Sequence, residues 1–294
     1  MLSILIPNYD ENVQKLVLDL HEQASDLDTP FEILICDQAD SRIHFEDNDS
    51  LNKMAFVRYF KWSERLGRAA NRNHLADEAK GDWLFFIDSD AELIEKDSLQ
   101  RFWNAKHWEA ASCGTMYYHQ TPPADKELML RWRFGREREM KSPIERSRNP
   151  YNSFISFAFL IGKDSFNKVR FNEKVTEYGH EDTLFGKQLK SAFIRPMHID
   201  VNILHQGLIP AEAFLEKVRQ SNRSLKILAE NGLADDTYGV YKWYVRLKKL
   251  GGVKAMKLYF KKNKAKLEQQ LTSADPSLRK LDVYKLGYFC ELMS

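Results

Sequence analysis

Residues 81–90 read GDWLFFIDSD and predict a buried strand that ends in two carboxylates. The five apolar residues Trp83–Ile87 are typical of a short strand that is covered on both faces. Asp88 and Asp90 follow, separated by one serine. Because alternate residues of an extended segment point to the same side, these carboxylates can converge on one point. Hard divalent cations such as Mg²⁺ and Mn²⁺ prefer oxygen ligands of this kind.

The Asp-x-Asp spacing is a weak signal by itself. It also occurs at residues 26–28 and 47–49, where the surrounding residues are polar and typical of loops. Only the third copy follows a predicted strand. From this local context, a pair of metal ligands and a solvated turn are equally good interpretations.

The composition is that of a globular protein. The chain has 294 residues, 43% of them hydrophobic and 12% aromatic, which suits one large or two small domains. Its formal net charge is only +2 although 29% of the residues are charged, so the total charge predicts no nucleic-acid partner. Cys36, Cys113 and Cys290 are widely spaced and lack a Cys-x-x-Cys pair, which argues against a disulfide framework and a thiolate zinc site.

The sequence predicts no membrane-spanning segment. Residues 1–7 lack the basic start and the apolar length of a signal peptide, and no uncharged apolar stretch approaches the roughly 20 residues that span a bilayer. Together with the unpaired cysteines, this predicts a soluble protein of the reducing cytoplasm, peripheral to the inner face of the cytoplasmic membrane at most.

The first part of the chain alternates strands with helices. Strands are predicted at 2–6, 31–36, 54–60 and 83–87, and the first ends at Pro7 because proline lacks the N–H that a central strand would use. This alternation predicts right-handed crossovers and an open, mostly parallel α/β sheet flanked by helices. Ligands of such sheets bind outside the carboxyl ends of the strands. Five charged residues are predicted near those ends: Asp37, Arg68, Arg72, Asp88 and Asp90.

The following segment predicts a helix at 96–108, strands at 110–118 and 154–161, and a helix at 163–169. Between 119 and 150 the chain is polar and basic. A flexible flap over a ligand and a solvated helix with a charged face are both compatible with that composition.

A second candidate stretch, residues 178–189, reads YGHEDTLFGKQL. Apolar residues at helical spacing follow Glu181 and Asp182, so this acidic pair is predicted at a helix N-terminus. Acids stabilise a first turn through the helix dipole by about 0.3–1 kcal/mol each, and this capping role alone can explain the pair. His205 ends a strand-like run, and a lone histidine is more often a satisfied polar residue than a ligand.

Together these stretches resemble the family 2 glycosyltransferases, which have the Rossmann-like GT-A fold. The resemblance covers roughly residues 1–207. It rests on five motifs in the family's order: SILIPNY at 3–9, EILICD at 32–37, LGRAANRN at 66–73, FIDSD at 86–90 and GHED at 179–182.

The resemblance implies an inverting transfer of a sugar from a nucleotide donor, with UDP favoured, to a hydroxyl of a glycan or lipid-linked acceptor. Asp37 would contact the uracil, Asp182 would be the catalytic base, and Glu181 would contact the acceptor or the donor sugar. The other nucleotide-sugar contacts would be Pro7, Asn8, Tyr9, Arg68, Arg72, Asp88 and Ser89.

The resemblance also implies a cation, Mn²⁺ or Mg²⁺, held by Asp88, Asp90 and His205. Such a cation can neutralise the departing diphosphate as a Lewis acid. The acceptor hydroxyl must lose a proton, which requires a carboxylate base. One departure is Gln38, which stands where the family usually has a second acid. Without that acid, a preference of the site for uracil is harder to distinguish from a preference for another pyrimidine.

After residue 207 the pattern changes to helices, predicted at 211–231 and 238–267. Residues 238–267 contain ten lysines and arginines and no acid, interleaved with aromatic and aliphatic residues. We therefore predict two domains, a GT-A domain at 1–210 and a basic helical extension at 211–294. Residues 242–266 suit peripheral contact with an anionic membrane. A helical appendage that packs its aromatic residues on the catalytic domain is equally compatible, whereas no nucleic-acid module is recognisable.

Three rival functions remain at this point. A sugar nucleotidyltransferase would carry a glycine-rich phosphate loop after the first strand, where this chain has Pro-Asn-Tyr-Asp at 7–10. A phosphatase that uses Asp-x-Asp would place the pair after the first strand. A catalytically silent carbohydrate-binding protein could retain the fold, because a fold does not guarantee activity.

Overall fold

The structure is a computed structural model that describes residues 1–39, 43–62, 67–173 and 179–294. The predicted motif positions Leu66 and Tyr178 lie outside the described residues. The chain divides into two compact units. The first comprises the described residues of Met1–Tyr118, Met140–Thr176 and Glu181–Gly207, and the second those of His119–Glu139, Glu177–His180 and Leu208–Ser294. The predicted boundary at 210/211 stays a prediction.

The first unit is built on one eight-stranded sheet in the order β3-β2-β1-β4-β7-β6-β8-β5. Neighbours are parallel from β3 to β4 and between β6 and β8, and antiparallel at the other three pairs. The predicted mostly parallel sheet is confirmed. The strands are β1 Leu2–Asn8, β2 Phe31–Asp37, β3 Val57–Lys61, β4 Trp83–Ile87, β5 Ala91–Leu93, β6 Ala110–Tyr117, β7 Ala158–Gly162 and β8 Arg195–His205.

Helices cover both faces of this sheet because the strands are apolar on both sides. Ile4, Ile33 and Phe85 pack in one core with residues of α1 and α4, whereas Leu5, Leu34 and Phe86 pack in a second core with residues of α3, α7 and α8. The helices of this unit are α1 Gln14–Ser25, α2 Phe45–Asp49, α3 Gly67–Glu78, α4 Ser98–Asn104, α6 Pro143–Ser147, α7 Lys163–Val169 and α8 Glu181–Ser191.

Several predicted boundaries were wrong. Pro7 lies inside β1, which is tolerated because β4 pairs with residues 2–5 only. The predicted helix at 96–108 is limited to Ser98–Asn104, and β7 begins at Ala158 rather than at residue 154. The basic segment 119–150 is partly helical, and one of its helices starts at a capping box in which Ser142 and Glu145 bond each other's backbone N–H.

The sheet topology brings distant residues to one edge. Asn8 and Asp37 are paired at the carboxyl ends of the parallel strands β1 and β2. At the end of the sheet that is formed by β8 and β5, these two strands are antiparallel, and His205 pairs with Ala91. A residue far along the chain therefore lies beside the Asp88–Asp90 turn.

The second unit is helical, with α5 Met129–Phe134, α9 Ala211–Glu230, α10 Gly239–Lys249, α11 Val253–Leu271 and α12 Leu278–Leu292. Leu130, Phe214, Phe260 and Tyr284 belong to its core. The predicted segment 238–267 is two helices, separated at Gly251, whose φ of 71° favours glycine. Among the described residues, no helix is both long and apolar enough to cross a bilayer.

The aromatic core under β4 should dominate the stability of the first unit. Phe86 is fully buried and stacks on Phe159 at 4.8 Å between ring centroids. We expect Phe86→Ala to lower the free energy of unfolding by about 3–5 kcal/mol, because it leaves a cavity in a packed core. The same substitution at Phe193, which is 89% exposed, should change it by less than about 0.5 kcal/mol. Denaturant unfolding measures both, and equal effects would contradict this description of the core.

Candidate active site

An ion pair lies at the carboxyl end of β4. The Nη2 of Arg72, from α3, is 2.6 Å from the Oδ1 of Asp88. Arg72 is almost fully buried and its guanidinium lies over the ring of Phe171, whereas a fifth of the Asp88 side chain reaches solvent. Burial raises the pKa of Asp88, and the positive charge of Arg72 opposes that rise. The ion pair therefore offsets part of the cost of burying the Asp88 carboxylate.

Asp90 faces His205 across the turn. The Oδ2 of Asp90 and the Nε2 of His205 are 3.5 Å apart. The imidazole is stacked between Tyr118 and Phe157, and Gly207 lies so close that a Cβ there would clash with the Asp90 carboxylate. These contacts fix the direction of both side chains.

The Asp90–His205 pair suits a divalent cation. Two neighbouring ligands of an octahedral cation at about 2.1 Å lie about 3 Å apart, which is close to the observed spacing. Carboxylate oxygen and imidazole nitrogen both suit Mn²⁺. No group of three or more His, Cys, Asp or Glu on the described residues is arranged around a common metal position. A cation here would therefore take its remaining ligands from water or a bound substrate.

The acidic pair Glu181–Asp182 occupies the first turn of α8, as predicted. Burial raises the pKa of Asp182 to about 6; the negative charges of Glu181 and Asp88 add to the rise, and Arg72 opposes it. Asp182 therefore lies close enough to the Arg72–Asp88 ion pair for both charges to shift its pKa. The Nη1 of Arg68 lies 4.0 Å from the Oε1 of Glu181. The helix begins after two residues with positive φ, Gly179 at 100° and His180 at 73°.

Asp37, at the end of β2, accepts hydrogen bonds from several parts of the chain. Its Oδ2 accepts hydrogen bonds from Tyr59 at 2.9 Å and Asn8 at 3.2 Å, and its Oδ1 accepts from the N–H groups of Ala39 at 2.9 Å and Asp10 at 3.4 Å. Four protein donors thus satisfy a carboxylate that is almost completely buried. Asp37 fixes the chain that leaves β1 and β2.

Several buried side-chain atoms at this edge make no hydrogen bond within the part of the chain that the structure describes. On the described residues, buried side-chain atoms without a hydrogen bond include the Nε2 of Gln38, the Oδ1 of Asn71, the Nε and Nη1 of Arg72 and the Oδ1 of Asp182. Buried polar atoms are normally hydrogen-bonded, so such a group of exceptions indicates a site that a polar ligand completes. The sequence analysis gave Asn71 no role; its position one residue before Arg72 at the start of a helix was the only signal.

A cavity of about 280 Å³ lies next to Asp90. Its lining includes Ser89 and Asp90 from the turn, Gly207 after β8, and Glu11 and Lys15. Lys15 is paired with Glu92 at 2.7 Å.

Residues 7–9 are predicted to contact the nucleotide-sugar. Asn8 is buried at the end of β1, whereas Tyr9 is exposed.

Residues 3–175, more than half of the chain, match a family model described as "Glycosyl transferase family 2". No curated protein sequence matches the chain.

Several solved structures are similar to this chain. The mannosyltransferase PcManGT from Pyrobaculum calidifontis, in complex with GDP-Man and Mn²⁺, is 14% identical with a TM-score of 0.55, covering 81% of this chain and 66% of that one. GalNAc-T7 with UDP, GalNAc and Mn²⁺ is 17% identical with a TM-score of 0.50, covering 71% and 45%. Residues 1–349 of S. aureus TarS are 16% identical with a TM-score of 0.49, covering 76% and 65%. The chain thus spans less than two thirds of each. PcManGT and GalNAc-T7 support the GT-A-like fold.

The Arg72–Asp88 ion pair should be essential for stability. Arg72→Met removes the cation and leaves Asp88 charged and poorly solvated. We expect a loss of about 3 kcal/mol, the lower end for a broken buried pair, because Asp88 retains some solvent contact. The pKa of Asp88 should rise further, so the deficit should shrink as the pH falls and Asp88 takes up a proton.

Denaturant unfolding in the presence of EDTA, at neutral and at acidic pH, measures this loss. The matched double variant Arg72→Met/Asp88→Asn should recover most of the stability, because it removes the unpaired charge. A deficit that neither low pH nor the second substitution reduces would contradict the ion-pair explanation.

Proposed function

The chain belongs to glycosyl transferase family 2, and from that premise we propose a metal-dependent, inverting glycosyltransferase that uses a UDP-sugar. The family match supports transfer of a sugar from a nucleotide-sugar donor and favours this proposal over the nucleotidyltransferase, phosphatase and silent-protein alternatives. The observation that supports the mechanism best is Asp182, a carboxylate with a raised pKa and an unpartnered oxygen beside the Arg72–Asp88 ion pair.

We assign the cation to Asp90 and His205, with Asp88 next to them. When bound, the cation would offset the negative charge that develops on the departing diphosphate. PcManGT and GalNAc-T7 each hold Mn²⁺ together with a nucleotide or nucleotide-sugar, which supports the choice of Mn²⁺ over Mg²⁺. Asp88, engaged by Arg72, would contact the ribose or hold the cation through a bound water.

Arg72 would bind the nucleotide-sugar through the N–H groups that do not contact Asp88. Its Nε and Nη1 are buried donors without a partner, and its charge favours an anionic oxygen. Arg68, which is half exposed and near Glu181, would approach the same nucleotide from the start of α3. Pro7, Asn8, Tyr9 and Ser89 complete the proposed donor contacts.

The nucleotide base would lie at the end of β2. Among the described residues, the buried Nε2 of Gln38 and Oδ1 of Asn71 have no hydrogen-bond partner, so they offer one donor and one acceptor. Uracil presents adjacent acceptor and donor groups on its edge, so these two amides can serve in place of the acid that the family usually has after the position of Asp37. We propose that Asp37 acts by fixing residues 8–10 and 39 around the base, since protein donors already occupy both of its oxygens.

Asp182 would be the general base. The acceptor hydroxyl attacks the anomeric carbon from the face opposite the diphosphate, the new C–O bond forms as the bond to the diphosphate breaks, and the hydroxyl proton passes to Asp182. A pKa of about 6 leaves this carboxylate mostly ionised at neutral pH and basic enough to accept the proton. Glu181 would contact the acceptor or the donor sugar. The acceptor is proposed to be a glycan or a lipid-linked sugar.

We place this reaction in the cytoplasm. The three cysteines are free thiols and all are buried, which supports a reducing compartment.

Replacement of the proposed base should separate chemistry from binding. Asp182→Asn should lower the transfer rate by about 10²–10⁴-fold and leave UDP affinity nearly unchanged. For the wild type, kcat/KM should fall about tenfold per pH unit below pH 6, where Asp182 takes up a proton. A panel of UDP-sugars with Mn²⁺, assayed for transfer and for slow donor hydrolysis, measures both. Normal turnover by the variant would remove this assignment.

The cation assignment predicts a loss of metal-linked donor affinity. Asp90→Ala should reduce Mn²⁺-dependent UDP binding at least ~10-fold, the usual minimum when a metal site loses a supporting group. Titration calorimetry with and without Mn²⁺ measures it. Asp28→Ala is the matched control, because Asp28 is exposed and belongs to another Asp-x-Asp sequence. Mn²⁺-enhanced binding by Asp90→Ala at the wild-type level would exclude Asp90 as a ligand.

A further inference from the structure

Two helices of the second unit, α10 and α11, carry a surface that neither the core nor the catalytic site explains. Residues 238–267 contain ten lysines and arginines and no acid. Each helix buries only a narrow face, which includes Tyr244 on α10 and Phe260, Leu267 and Leu271 on α11. The other faces are left to solvent.

Large apolar side chains are exposed on the same two helices. Trp243 is 55% exposed, Leu250 82%, Leu258 69% and Tyr259 49%. Leaving such side chains in water is unfavourable, because apolar surface gains stability when it is removed from water. Several exposed apolar side chains on two consecutive basic helices indicate a partner more strongly than single exposed residues would.

The apolar and basic side chains share the exposed faces. On α10, Trp243 and Arg246 are three residues apart and form a cation–π contact at 4.8 Å, and Leu250 follows one turn later. On α11, Leu258 lies one turn after Lys254 and one turn before Lys262, and all three are exposed. This arrangement is typical of helices that lie in a membrane interface with their cations at the level of the headgroups.

We propose that the exposed faces of α10 and α11 dock on the surface of an anionic lipid bilayer. The lysines and arginines complement the negative headgroups, and Trp243, Leu250, Leu258 and Tyr259 enter the boundary between headgroups and acyl chains. Tryptophan and tyrosine are favoured at that depth because one end of each ring is apolar and the other polar.

A bilayer fits this surface better than a nucleic acid does. A phosphate backbone would attract the same cations, and bases could stack on Trp243 or Tyr259. Neither Leu250 nor Leu258 would gain an apolar environment there. A bilayer surface satisfies the charges and the aliphatic side chains together.

Docking would hold the enzyme at the surface where lipid-linked acceptors are found. That link to the acceptor rests on the proposed function, whereas the docking itself depends only on the second unit's charges and exposed side chains. The two ideas can therefore fail independently.

Sedimentation of the full chain with vesicles tests the docking. The wild type should bind vesicles of phosphatidylcholine mixed with phosphatidylglycerol, and should not bind phosphatidylcholine alone. Binding should weaken as salt is raised, because exposed charges are screened beyond about 8 Å at physiological ionic strength. Absence of binding to the anionic vesicles at low salt would overturn the proposal.

Matched variants assign the binding to these helices. Lys254→Gln/Lys261→Gln/Lys262→Gln should reduce the partition into anionic vesicles at least ~10-fold, because each basic residue near the surface contributes separately. The control Lys53→Gln/Lys80→Gln/Lys96→Gln removes three exposed lysines of the first unit and should bind as the wild type does. Equal losses in both variants would indicate unspecific charge attraction and overturn the assignment.

The apolar part of the surface needs its own variant. Leu250→Ser/Leu258→Ser keeps every charge and should weaken vesicle binding most at high salt, where the apolar contribution remains. Unchanged binding would overturn the insertion of these side chains. If single-stranded oligonucleotides displace the protein from vesicles and bind it equally after Leu250→Ser/Leu258→Ser, the surface is a nucleic-acid site and the proposal fails. Donor hydrolysis without vesicles should be normal in all these variants, which excludes misfolding.

Discussion

The first unit depends on one ion pair, Arg72 with Asp88. It joins the helix after β3 to the end of the central strand β4, and it places a positive charge among several carboxylates. Burial raises the pKa of both Asp88 and Asp182, and the positive charge of Arg72 opposes the rise in each. The guanidinium thus favours the ionised form of both carboxylates, including the proposed base.

Buried polar groups near the end of β2 differ in how completely the protein hydrogen-bonds them. Asp37 receives four hydrogen bonds from the protein, whereas Gln38 and Asn71, close to it, keep buried atoms without partners. Leaving buried polar atoms unpaired costs about 1–3 kcal/mol each. A bound nucleotide would provide the missing partners, so the site is least stable when it is empty.

Charge is also distributed unevenly along the chain. The net charge is only +2, yet ten cations and no acid are concentrated in residues 238–267. Carboxylates dominate the first unit's site, which suits a cation and a proton acceptor. Exposed lysines and apolar side chains dominate α10 and α11, which suits an anionic surface. Total charge conceals the basic helices because an excess of acids elsewhere in the chain nearly balances them.

The sequence by itself determined most of the strands, the parallel crossovers of the first half, and the residue types of the site. Runs such as 31–36 and 83–87 are apolar throughout, and only a sheet covered on both faces accommodates them. Tertiary structure decided what each site residue contacts. The pairing of β8 with β5 brings His205 to Asp90, and the sequence holds no local signal for a contact between residues so far apart. The sequence also could not show that hydrogen bonds from Tyr59 and Asn8 already occupy the Asp37 carboxylate, rather than leaving it free to bind a nucleotide base. Hydrogen-bond saturation and burial arise only when distant segments pack together, whereas strand formation follows from the local pattern of apolar residues.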